Sequence, residues 1–359
     1  MLADVILKIA GMEGEEEQHE YYPRPSVSGP SRCIRQMVYW GLGVKRLPLP
    51  GRTMLIFNDS SWHEELTMDW LRKSAFQVHS PQMKVSIDFP GIPINLEGSI
   101  DFIVTDITEK DVLVEHKAIN HFTFQGFWDG ELPVDYLTQT CIYLRGLQKV
   151  NPALTSALLL IKNKNTAAYI EYAIAYQGVV DRCEVLSLTD SNGKVKEINK
   201  SIENITLDAF TKFMVVADYI AKKTLPKRQY FVDDWQCSYC GWAGICWEGY
   251  RKEFEELKTS VMLSDEVGDM LRYYKEVGAH KSAITKEYEE LSDKIKATMK
   301  EAGAREGVAG EYIAKLTLVE STRLDKELLT EAEIERASKK SFYERLSISR
   351  PKAGKGEKL

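Results

Sequence analysis

Two short apolar runs, residues 100–104 and 112–114, flank a polar turn through Thr108, Glu109 and Lys110, a pattern that predicts a β-hairpin within 98–118. Both runs are apolar on both faces, as central strands are, yet Asp101 opens the first and Glu115-His116-Lys117 closes the second. Charge placed where burial forbids it is usually retained for chemistry. Residues 156–161 and 167–176, separated by KNKNT, predict a second hairpin that completes the sheet. Helical periodicity runs over 54–76 and 207–223, and a helix follows the Pro- and Ser-rich stretch 21–30. Residues 1–20, an apolar stretch and an acidic run, predict a solvated helix and linker. Residues 79–95 alternate but contain Pro81, Pro90 and Pro93, which fits an edge strand with turns. Towards the C-terminus Ile284, Tyr288, Leu291, Ile295 and Met299 predict an amphipathic helix packed on a neighbour, ended by Gly303, Gly307 and Gly310. A strand over 312–319, a helix over 325–337, a strand over 342–348 and a basic disordered tail, 351–359, complete the pattern.

Alternation along a strand puts Glu115 and Lys117 on one face and His116 on the other. Asp101 on the partner strand then joins Glu115 in a carboxylate pair, the donor type suited to Mg²⁺ or Mn²⁺. Lys117 beside it is suited to orienting water or stabilising charge on a phosphate. An ion-paired surface hairpin would show the same letters. His63, on the 54–76 helix, offers an imidazole for the same metal, and Gln139 and Tyr143, spaced i, i+4, share a helix face just after the hairpin.

Taken in order, His63, G-x-I-D at 98–101, E-x-K at 115–117 and Q-x-x-x-Y at 139–143 resemble the RecB-like branch of the PD-(D/E)XK nuclease superfamily. The resemblance implies an α/β fold with a restriction-endonuclease-like core, a central mixed sheet flanked by helices. It implies that His63, Asp101, Glu115 and the backbone carbonyl of His116 hold Mg²⁺ or Mn²⁺, with Asp101, Glu115, Lys117, Gln139 and Tyr143 catalytic.

Composition narrows the setting. A net charge of −6 over 359 residues excludes a wholly basic nucleic-acid binder, so DNA contact must come from a local groove. No stretch reaches membrane-span length and the N-terminus lacks signal-peptide architecture, which predicts a soluble cytoplasmic protein with no membrane partner. Candidate DNA contacts are Arg32, Arg35, Lys162 and Lys164, together with Phe122, Phe124 and Trp128 in a segment without clean helical period. Plain surface charge, a solvated turn and a core aromatic cluster are the simpler readings of these residues; the sharper reading of the aromatics is base stacking.

Of six cysteines, Cys237, Cys240 and Cys246 form C-x2-C-x5-C, with Cys33 the best fourth ligand. The spacing alone suits zinc and an iron-sulfur centre equally. One distant cysteine and a C-terminal triplet around the motifs resemble the iron-sulfur nucleases of the RecB-like group, which include CRISPR-associated exonucleases and the AddB nuclease domain. The resemblance implies a [4Fe-4S] cluster closing a nuclease core over 1–260. The extension 261–350, with GEYIAKL, TRLDKELL and SFYERLSIS, resembles phage YqaJ/lambda-exonuclease relatives diffusely. No Walker A loop occurs, so any helicase or single-strand annealing protein would be a separate partner. The expectation is a metal-dependent DNA exonuclease acting on single- or double-stranded ends in phage or mobile-element recombination. Alternatives are a non-catalytic DNA-end-binding scaffold and a zinc-stapled structure-specific endonuclease.

Overall fold

The computed structural model describes residues 2–16, 20–106, 108–250, 264–309 and 312–318. The chain divides into two compact units, Met1–Glu248 and Gly249–Leu359. No described helix is long and apolar enough to cross a membrane.

The first unit is α/β and is built on one mixed seven-stranded sheet. Its strands are β1 (Gln77–His79), β4 (Phe102–Thr105), β5 (Asp111–Ile119), β6 (Ser156–Asn163), β7 (Tyr169–Gln177), β8 (Arg182–Asp190) and β9 (Val195–Glu203), adjacent in that order. Only β5 and β6 pair in parallel. A parallel pair needs a crossover, which α4 (His121–Asp129) and α5 (Val134–Leu147) supply. The predicted hairpin is β4 and β5, in a register that pairs Phe102 with Val114 and so carries Asp101 opposite Glu115.

The apolar character of both hairpin strands follows from burial on both sides. Ile103, Leu113, Leu159 and Ile161 join the main core with Leu137 and Leu144 of α5 and Phe210 of α6 (Ile205–Ala221). On the opposite face Phe102, Val104 and Val114 meet Met68 of α3 (Gly51–Leu71). The helix expected over 54–76 therefore starts earlier, directly after Pro50, and stops at Leu71. Residues 79–95 do not form one edge strand: β2 (Lys84–Phe89) and β3 (Ile92–Ser99) make a separate hairpin, turned at Gly91 with φ of 80°. The N-terminal helix α1 (Leu2–Glu16) is docked rather than merely solvated, its Gly11 lying against Gly51 of α3.

Segment 121–129 is a helix after all. Asn120 caps it by accepting from the Thr123 amide, and its mixed aromatic content hid the period.

In the second unit α9 (Asp265–Glu301) ends as Gly303 adopts φ of 63°, and β10 (Glu306–Ala309) pairs with β11 (Tyr312–Lys315). Gly307 thus belongs to a strand and not to the helix end. The elements expected over 325–337 and 342–348, and the tail 351–359, lie outside the described residues.

Candidate active site and thiol cavity

Strand geometry brings Asp101, Glu115 and Lys117 together. The backbone amide of His116 donates to Asp101 Oδ2 at 2.7 Å, and Lys117 Nζ donates to Glu115 Oε1. Glu115 is completely buried, and its Oε2 has no hydrogen-bond partner among the described residues. An orphaned carboxylate oxygen in the interior is costly unless a cation or proton satisfies it. Burial, with the Asp101 charge adding to it, pushes the Glu115 carboxyl up to about 8. Burial also raises Asp101, against the opposing pull of Lys117 and the His116 amide. For Lys117, burial alone would lower the ammonium, but the Glu115 and Asp101 charges outweigh it and hold it above the usual lysine range.

The third acid is Glu64 on α3. It accepts from Gln82 Nε2 at 2.8 Å, and burial followed by the Asp101 charge raises it to about 7. Sequence reasoning favoured its neighbour His63. Helical phase does not separate the two, because His63 also stands four residues before Thr67; the bond from Gln82, which only the fold makes, singles out Glu64. His63 feels burial first, then Lys162 and Lys164, which lower it, and Asp59, which opposes them.

His116 points to the opposite face, as alternation requires, where its Nε2 lies 3.2 Å from Thr67 Oγ1. Burial and the nearby lysines lower it to about 3, so the ring is neutral. Its backbone lies within β5, beside the carboxylate pair.

Gln139 and Tyr143 do share the inward face of α5, and the Tyr143 hydroxyl bonds Gln139. Burial first, then the Glu115 and Asp101 charges, raise the Tyr143 phenol. A Cβ on Gly98 would lie 2.8 Å from Tyr143 Oη and 2.9 Å from Pro25 Cδ, so only glycine admits this close approach. Tyr136, absent from the sequence reading, sets its ring 5.7 Å from Lys117 Nζ.

The residues expected to touch DNA are mostly engaged within the protein. Arg32 pairs with Asp135 at 3.8 Å, while Arg35 donates to the Pro226 carbonyl and the Tyr39 hydroxyl. Lys162 is buried in β6 over the Tyr169 ring, and Lys164 donates to the Ile56 carbonyl and Ser60 Oγ of α3. Lys162 belongs to β6, which extends to Asn163, whereas Lys164 opens the turn that follows and is tied back onto α3. Phe124 is core, Trp128 is covered by Lys196 at 3.5 Å from its ring, and Phe122 alone of the three is fully exposed.

Cys33, Cys237, Cys240 and Cys246 line one cavity with about 440 Å³ of free space, open solvent included. Burial raises the Cys33 and Cys237 thiols and takes Cys240 up to about 11, and the other sulfurs of the group add to each shift. The segments are stitched independently of the sulfurs. Tyr230 Oη donates to the Ser31 carbonyl, Gln229 Oε1 accepts from the Ile34 amide at 2.6 Å, and Trp242 Nε1 donates to the Val44 carbonyl at 2.7 Å. Among the described residues, no group of three or more His, Cys, Asp or Glu side chains is already drawn in to hold a metal ion. Cys141 and Cys183 are separate from this cavity, free thiols fully buried in the main core and in hydrogen-bond contact with each other.

Comparison with family models gives no match, and no curated protein matches this chain. A solved structure titled "Crystal structure of SSO0001" aligns with 15% identity and a TM-score of 0.39, covering 68% of this chain and 96% of that one.

Proposed function

We propose that this protein is a Mg²⁺- or Mn²⁺-dependent DNA exonuclease with a restriction-endonuclease-like, RecB-like core. The observation that supports this most strongly is Glu115 Oε2, buried and without a partner in a group of three acids that all resist ionisation. Such a set is stable in its charged form only around a cation, and oxygen donors of this kind select Mg²⁺ or Mn²⁺. Asp101 and Glu115 would hold the ion, and Glu64, which shares their field, is the helix residue that would join them in place of His63. The bound ion would supply Lewis acidity and favour ionised water near neutral pH.

The chain's own groups account for the rest. Lys117, held as an ammonium by Glu115, would orient the attacking water and offset charge developing on the phosphate. Tyr143 and Gln139 brace that group from α5. The four thiols, which surround a single cavity, would hold a [4Fe-4S] cluster, with zinc the other centre their chemistry admits. DNA would enter from its ends, and unwinding or annealing would fall to separate proteins in a cytoplasmic recombination pathway.

The test is digestion of single- and double-stranded DNA labelled separately at each end, with Mg²⁺, with Mn²⁺ and with a chelator. Progressive loss of nucleotides from an end, abolished by the chelator, is expected. Binding without cleavage by folded, metal-supplied protein would overturn the catalytic reading in favour of an end-binding scaffold.

A further inference from the structure

Helix α9 carries an apolar seam that is exposed among the described residues. Met270, Val277, Ile284 and Leu291 recur every seven residues and all are exposed. Tyr274, Lys281, Tyr288 and Ile295 recur at the same interval, offset by four, and are likewise exposed. Met299, which the sequence pattern would add to this stripe, is buried instead. A strict 4-3 repeat of this length is the seam of a two-stranded coiled coil, because it follows a 3.5-residue period rather than the 3.6 of a straight helix.

The charges argue for a second copy of the chain as the partner, and for its direction. Parallel pairing would set Lys281 against Lys281 inside the seam, and one flank, Gly278, Thr285 and Ser292, has no charge to offer. Antiparallel pairing about a two-fold axis between residues 289 and 290 removes both faults. Ile284 then faces the second copy's Ile295, Tyr288 its Leu291, and Lys281 its Thr298. Glu287 falls opposite the second copy's Lys294, and symmetry makes this pair twice. Neither residue has an ion pair among the described residues, whereas charges on the outer side of the helix pair along it, Lys286 with Glu290 at 3.8 Å and Lys296 with Asp293 at 3.0 Å. The overlap spans residues 278–301 of each copy, about 24 residues and roughly 36 Å of helix, and leaves Met270 and Tyr274 beyond it.

We infer that α9 joins two copies of this chain as an antiparallel coiled coil. The test is sedimentation equilibrium on the full-length chain at micromolar concentrations, which should give the mass of a dimer. Ile284→Asp combined with Leu291→Asp should give a monomer. Glu287→Lys and Lys294→Glu, each alone, should weaken dimerisation on the order of tenfold by turning both symmetric pairs into like-charge contacts, while the two together restore it. A monomeric wild-type chain would overturn the inference, as would a dimer that survives the double aspartate substitution. Failure of the combined charge exchange to recover the loss would overturn the antiparallel register.

Discussion

The amide of His116 donates to Asp101 Oδ2 at 2.7 Å, so the acid of one hairpin strand is fixed by the backbone of the other rather than by a side chain. Asp101→Asn keeps an acceptor oxygen for that bond and removes the charge. The variant is expected to fold with unchanged thermal stability or better, since a buried charge is lost, while DNA hydrolysis falls by a factor on the order of a thousand. Single-turnover cleavage and a thermal melt measured on one preparation check this, and retained cleavage would remove Asp101 from the site.

Among the described residues, Lys117 is the sole hydrogen-bond partner of the Glu115 carboxylate. Lys117→Ala should therefore abolish nucleolysis while DNA binding, read by fluorescence anisotropy, changes by no more than about twofold, because the residue serves the transition state more than the ground-state complex. An equal loss of binding and cutting would make it a DNA contact instead.

The raised carboxyls give a pH dependence with a definite sign. Glu115 lies at about 8 and Glu64 at about 7, both above the ordinary glutamate value near 4.3 expected of the unfolded chain. The folded, metal-free protein therefore holds extra protons, and its stability is full below the unfolded value and lost as pH rises through 7 and 8. With a chelator present, the melting temperature should fall between pH 5 and 8. Saturating Mg²⁺ should flatten or reverse that trend, because the cation favours the ionised form. Glu115→Gln should shrink the slope in chelator; a slope identical to wild type would show that Glu115 is ionised in the folded protein.

Loss of Cys33, Cys237, Cys240 or Cys246 should reduce soluble yield, in contrast to the folded but inactive Lys117 variant. Anaerobically purified protein should be brown, with iron and sulfide in equal amounts and a visible band that bleaches in air. Colourless, fully active protein with stoichiometric zinc would replace the cluster and leave the staple. Cys141 and Cys183 should be neutral for colour, but their burial sets a packing cost: Ala at either should cost about 1 kcal/mol, and Ser more, for want of new hydrogen-bond partners.

Gly98→Ala places a methyl group 2.8 Å from Tyr143 Oη and 2.9 Å from Pro25 Cδ. Overpacking should lower stability by about 1–3 kcal/mol and displace Tyr143, reducing cleavage even though the mutated residue has no functional group. Tyr143→Phe in the same background should recover part of the stability without recovering activity. A fully active Gly98→Ala protein would show that the tyrosine hydroxyl is free to move.

Periodicity alone determined the hairpin that carries Asp101, Glu115 and Lys117, since strand alternation fixes which side chains share a face before any neighbour is known. It likewise determined the shared face of Gln139 and Tyr143, and the C-x2-C-x5-C cluster was legible from spacing. The tertiary structure decided what depends on rotation and partners. Adjacent residues such as His63 and Glu64 differ by about 100° around a helix, and only the Gln82–Glu64 hydrogen bond and the Asp101 charge acting on Glu64 set it beside the carboxylates. Arg32, Arg35, Lys162 and Lys164 look like free cations in the sequence, but Asp135, the Pro226 carbonyl, the Tyr169 ring and the α3 backbone engage them from far along the chain. Cys33 and Cys246 meet across the whole first unit because the Ser31–Tyr230 and Val44–Trp242 bonds hold their segments together. A local pattern reports on the residue's own element, whereas a site is made where elements distant in sequence exclude water together.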